Sequence, residues 1–234
     1  MTHEHFRVLE VFMHIFRRIA LACALVFTLG TIAAADSDPT FHGPLNPAEK
    51  QFVASIQSDL MTRFPHAADA EKAGYVRFTN EDDTGAISYA NMHWDSKDTK
   101  HPSQLWYDVN GNLLGADFSV PETTKTPPSL WGINPGRWTE FGAHVHYVSI
   151  VDGKPKYDQA VGATKWVAAG GNLQNPAPET LVKLGRVPSV ADVKTVFLFP
   201  SIWDLTVWVK PNPAGAFEDK NPDVKPSTAH TSSM

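Results

Sequence analysis

One cysteine occurs in 234 residues, Cys23, and it sits inside an apolar N-terminal segment. Without that segment the chain has no thiol. Disulfides, thiolate metal ligands and a cysteine nucleophile are then all excluded. Positive charge is scarce as well: 20 Lys and Arg stand against 25 Asp and Glu, for a net charge of −5. No basic patch is visible, which argues against nucleic acid and anionic membrane surfaces as partners. A Gly-x-Ser-x-Gly nucleophile elbow is missing, and Gly170-Gly171-Asn172 lacks the Lys-Ser/Thr that would follow in a phosphate-cradling loop. The mature chain has no apolar run long enough to span a membrane.

The N-terminus itself has the layout of a secretory signal peptide. Arg17-Arg18 is a charged start, Ile19 to Ile32 is apolar, and Ala33-Ala34-Ala35 supplies small residues at the cleavage positions. Cleavage before Asp36 and a periplasmic or extracellular location are therefore expected. Met13 as the start would give a signal of ordinary length. Ala20-Leu21-Ala22 before Cys23 is a poor lipobox, so no lipid anchor is expected. Losing residues 1–35 removes three basic and two acidic residues and takes the net charge from −5 to −6. The remaining chain is long enough for one large or two small domains and must be held by an apolar core. Residues 36–224 are expected to form one α+β domain, with a candidate sub-boundary in the Pro-rich connector 121–135. Residues 225–234 read as a disordered tail.

Asn46-Pro47-Ala48-Glu49 starts a helix: an N-cap, a proline at the first helical position and an acid in the first turn. Phe52, Val53, Ile56, Leu60 and Phe64 repeat at helical spacing, and Pro65 ends the run. A short helix over 67–73 follows, stopped by Gly74. Strands are expected over 75–79, 86–94, 104–109 and 113–120. Asn110-Gly111 supplies the hairpin turn, taken as type I′ because both central residues of that turn need positive φ. Asp152-Gly153 makes a second hairpin whose return strand runs over 156–162. The pattern further predicts a short strand over 164–169, a helix over 178–184 and another after Ser189. Residues 197–200 read as an apolar exit, and 203–209 as a buried strand. The sum is an α+β fold: a mainly antiparallel sheet built from hairpins, with an N-terminal helix and short C-terminal helices packed on it.

The stretch that suggests chemistry is Glu140-Phe141-Gly142-Ala143-His144-Val145-His146-Tyr147-Val148. Read as one strand, it puts Glu140, His144 and His146 on one face and Phe141, Ala143, Val145 and Tyr147 on the other. Two imidazoles at i, i+2 can share a metal ion or a polar ligand. A third ligand is needed, with His93 and His101 as candidates if their loop folds over the pair. Nitrogen ligands suit zinc, copper or iron better than calcium or magnesium. The later glutamate of a cupin-type His-x-His site is missing. The aromatic content reads as core rather than as a carbohydrate platform.

Several patches resemble a group of uncharacterised secreted bacterial proteins. They are Met92-His93-Trp94, His101-Pro102-Ser103-Gln104-Leu105-Trp106-Tyr107 leading to Gly111 and Leu114-Gly115, Val120-Pro121, and the run from Trp208 to Asn221-Pro222. The resemblance implies an exported α+β domain and no particular reaction. In that group a His often stands two residues before the last-strand Trp; here the position is Thr206. Three readings follow: a binding protein holding a transition metal or small ligand at His144 and His146, a metal-dependent enzyme using the same ligands with Glu140 or a loop acid as base, and a non-catalytic interaction domain.

Overall fold

Asn46 opens the first helix as its residue type predicts. The computed structural model describes residues 39–228; the expected signal peptide and residues 229–234 lie outside them. In helix α1 (Pro47–Arg63) the Asn46 side chain accepts from the Glu49 N–H, and Glu49 accepts from the Asn46 N–H, each at 2.9 Å. This reciprocal box satisfies two donors that the helix start leaves over. Phe52, Val53, Ile56 and Leu60 form the buried face. Helix α2 (Ala67–Lys72) ends before Gly74, whose φ of +94° suits only a residue without Cβ.

The strands are β1 (Val76–Arg77), β2 (Ile87–Ala90), β3 (Gln104–Tyr107), β4 (Leu113–Pro121), β5 (Thr139–Phe141), β6 (His144–Val151), β7 (Lys154–Gly162), β8 (Val193–Phe199) and β9 (Ile202–Trp208). They form two antiparallel sheets, a six-stranded one in the order β1-β2-β3-β4-β9-β5 and a three-stranded one in the order β7-β6-β8. The fold is α+β, with hairpins, an N-terminal helix and short later helices. All the described residues belong to one compact unit.

One face of the large sheet packs on α1. Leu105, Tyr107, Ala116, Phe118, Leu205 and Val207 share a core with Phe52, Ile56 and Leu60. Because strand side chains alternate, the other face carries Gln104, Trp106, Asp117, Ser119, Asp204, Thr206 and Trp208. β6 splits its side chains in the same way: Val145 and Tyr147 pack with Trp166, Leu181 and Val187. His144 and His146 face the opposite way, toward the aromatic rings of β8.

Five expectations are corrected. The His-x-His strand is not continuous. β5 pairs with β9 through Phe141↔Ile202, and β6 pairs with β8 through His144↔Phe199. Residues 142–143 and 200–201 therefore cross from one sheet to the other at the same level, tied by the Ala143 N–H donating to Ser201 Oγ at 3.2 Å. The expected exit 197–200 is the end of strand β8. The expected strand over 164–169 is helix α3 (Ala163–Ala168): β6 already lies between β7 and β8, and the helix buries only Trp166. The expected helix after Ser189 is one 3-10 turn, Val190–Asp192, before the chain enters β8; the expected helix over 178–184 forms, as α4 (Pro178–Lys183). Finally, the type I′ turn sits at Asp152-Gly153, with φ +50° and +74°. At Asn110-Gly111 only Gly111 has positive φ, in a longer loop where the Gly111 N–H donates to the Asp108 carbonyl.

The C-terminal segment wraps the sheet. Phe217 is buried in the main core, and the Trp208 N–H donates to the Ala216 carbonyl at 2.8 Å. The first part of the expected disordered tail is also held: the Ser227 N–H donates to Glu81 at 2.6 Å.

Candidate ligand-binding site between the two sheets

A cavity of about 450 Å³ lies between the polar face of the large sheet and the histidine face of the small one. Gln104, Trp106, Asp117, Asp204, Thr206 and Trp208 line it from one side, and His144, His146 and Phe199 from the other. Phe78 and Phe141 also line it.

The histidines are held by rings. His144 stacks on Phe199 at 4.6 Å and 17°, and His146 on Phe197 at 5.6 Å and 25°, with Phe78 edge-on to His146 at 4.9 Å. Their Nε2 atoms are 2.9 Å apart. His144 Nδ1 lies 2.8 Å from the Gly142 carbonyl. A carbonyl only accepts, so this nitrogen carries the proton, and in the neutral ring Nε2 is then an acceptor. With both rings neutral, His146 donates to it, which leaves His146 Nδ1 as a lone pair. That atom is buried and has no hydrogen-bond partner among the described residues. Burial, and then the neighbouring His144, push the His146 pKa down to about 3, so the ring is neutral across the physiological range.

The other wall holds two carboxyls that the sequence reading passed over. Asp117 on β4 and Asp204 on β9 are 5% and 3% exposed and hydrogen-bonded to each other. Asp117 also accepts from Trp106 Nε1 at 2.8 Å and from the Thr206 hydroxyl at 3.2 Å, and Asp204 accepts from the Ser119 hydroxyl at 2.5 Å. Ser119 and Ser103 hydroxyls are 2.6 Å apart behind it. Burial, and then the charge of Asp204, raise Asp117 well above the usual carboxylate range; burial raises Asp204 to about 6. The pair therefore keeps one proton at neutral pH, held by Asp117 and donated to Asp204. Gly115 allows the arrangement, since a Cβ there would come within 2.7 Å of the Trp106 ring. A signal for each acid alone was legible, since each Asp interrupts a mainly apolar strand, and buried acids in such places are rare without a reason.

The remaining expected ligands stay apart from the pair. Glu140 is on β5 and bonds Lys125 Nζ at 2.5 Å, because the crossover at 142–143 puts it in the other sheet. His93 and His101 face each other at 6.4 Å between rings, and His101 is bound to Asp98 at 2.6 Å. Neither lines the cavity. Phe141, expected on the face opposite the histidines, lines the cavity with them. Among the described residues no three His, Cys, Asp or Glu side chains are grouped to hold a metal ion. No helix among them is long and apolar enough to cross a membrane. Comparison with family models, with curated proteins and with solved structures finds no match to this chain.

Proposed function

We propose that this chain is an exported binding protein whose inter-sheet cavity holds a small ligand, with His144 and His146 as its polar anchor. The observation that carries the reading is the fixed imidazole pair. Gly142 presets the tautomer of His144, the rings of Phe78, Phe197 and Phe199 fix both planes, and the polar edges meet at the cavity. A preset polar pair beside aromatic rings suits a small-molecule site, and the volume falls within their range of roughly 300–1,000 Å³. Export rests on the leader pattern of residues 17–35.

A second reading has one observation in its favour. A histidine that gives its Nδ1 proton to a carbonyl presents Nε2 as a metal ligand, and both Nε2 atoms converge here. Zinc, copper or iron would then displace the proton between the rings and take its remaining ligands from water or from the bound molecule.

Thermal melting of untagged mature protein against transition-metal ions and a broad set of small polar metabolites tests both. A ligand at 100 times its dissociation constant stabilises by about 2.7 kcal/mol. Wild type is expected to rise in midpoint with at least one compound or metal. His144→Ala/His146→Ala and the cavity-filling Thr206→Phe should not. An equal rise in all three proteins would contradict the reading and point to another surface.

A further inference from the structure

We propose that the ligand is a small organic cation, a protonated amine whose charged end meets Asp117 and Asp204 while its body lies against Trp106, Phe78 and Phe199. This rests on the reading of the cavity as a ligand site. Its first ground is an imbalance of charge. Four carboxyl residues line the cavity, Asp82, Asp117, Asp204 and Asp219, and no Lys or Arg lines it among the described residues. An anionic ligand would find no counter-charge there.

The second ground is independent of how many acids there are. The Asp117–Asp204 pair is buried, and neither residue makes an ion pair among the described residues. Buried charge without a partner costs several kcal/mol, so buried carboxylates are normally paired or else neutral. Here the Ser119 hydroxyl and the protonated Asp117 donate to Asp204 and keep one charge in place instead of removing it. That charge is held ready for a positive group that the chain itself does not supply. An ionised carboxylate accepts at about four lone-pair sites, and Asp204 uses one on Ser119 and one on Asp117. Acceptor capacity therefore remains for an ammonium.

The third ground is the wall. Aromatic faces attract a cation within about 6 Å of the ring centre, and more so when water is excluded. Trp106 brings this face and the acid together, because its Nε1 donates to Asp117 while its ring lines the cavity. The histidines opposite add hydrogen-bonding capacity, and burial keeps His146 neutral.

The test uses untagged mature protein at pH 7.5 and three probes of matched shape: benzylamine, benzyl alcohol and benzoate, titrated by calorimetry and ligand-observed NMR. Benzylamine is expected to bind at least tenfold more tightly than benzyl alcohol, with benzoate weakest. Asp204→Asn should bring benzylamine down to the level of the alcohol and leave the alcohol unchanged. Asp117→Asn copies the protonated acid, keeps the charge on Asp204 and should keep the preference for the amine. It also serves if Asp204→Asn fails to fold. Benzyl alcohol or benzoate binding as tightly as the amine would overturn the charge inference and leave the cavity reading standing. So would an unchanged preference in Asp204→Asn. If no probe binds at millimolar concentration the cation proposal is wrong, while a neutral ligand or a metal still registers in the melting screen.

Discussion

His144 and His146 meet Nε2 to Nε2 at 2.9 Å on the cavity face of β6. With the Gly142 carbonyl fixing the proton on His144 Nδ1, two neutral rings carry opposite tautomers. Long-range proton–nitrogen spectra of the imidazoles at pH 7 should show His144 protonated at Nδ1 and His146 at Nε2. The same tautomer in both rings, or an imidazolium in either, would contradict the arrangement.

The two walls of the cavity should pull stability in opposite directions with pH. His146 has a folded pKa of about 3, below the ordinary 6.5, so the folded state binds fewer protons than the unfolded. Its contribution is intact above pH 6.5 and is lost as pH falls toward 3. Asp204 has a raised folded value of about 6, so its contribution is largest below about pH 4 and is lost as pH rises through 6. Asp82, Asp219 and His144 at the cavity are common to both proteins, while Asp117 loses the Asp204 charge that helps to raise it. Asp204→Asn should therefore be more stable than wild type at pH 7.5, by on the order of 1–3 kcal/mol. Its advantage should shrink toward pH 4. Urea melts at several pH values measure this; a variant less stable than wild type at pH 7.5 would contradict the raised value.

Glu49 makes a different use of a buried carboxylate. It caps α1, and its Oε1 accepts from Arg137 Nε at 3.3 Å and from the Asn134 N–H at 3.0 Å. Burial alone would raise its pKa, but the N–H groups of Asn134 and Asn46, followed by Arg137, more than offset this and hold it below the usual range. Arg137 is 2% exposed and also donates to the carbonyls of Phe41 and Gly43. Glu49→Ala leaves that guanidinium with only Glu218, at 3.9 Å, as counter-charge and should cost about 3–5 kcal/mol. A loss under about 1 kcal/mol in chemical denaturation would mean that the pair is replaceable by water.

Processing is checked by intact mass. The Ala33-Ala34-Ala35 pattern predicts a mature chain beginning at Asp36 without lipid. An exported protein that keeps Cys23 would contradict it.

Much of the fold was legible because local chemistry and tertiary structure agree along α1, at Gly74 and in the hairpins. Phe52, Ile56 and Leu60 repeat with the helix period, and those residues are the buried ones. Legibility failed where tertiary structure decides. Gly142-Ala143 looks like the middle of a strand, and only its coincidence with Pro200-Ser201 in space makes it a crossover. The facing of His144 and His146 was readable from the two-residue strand period, and Glu140 was lost to the crossover between them. Asp117 and Asp204 are 87 positions apart, and their meeting depends on the β4–β9 pairing, in which Asp117 opposes Thr206 and Ser119 opposes Asp204. No local spacing encodes that.

The most direct test of a ligand site at the histidine pair is native mass spectrometry. Untagged mature protein would be incubated with a small-molecule extract of the cells that export it, alongside His144→Ala/His146→Ala. Wild type is expected to carry an added mass of a small molecule, alone or with a transition metal, and the double variant only its own mass. No added mass on wild type, or the same added mass on both proteins, would contradict the site.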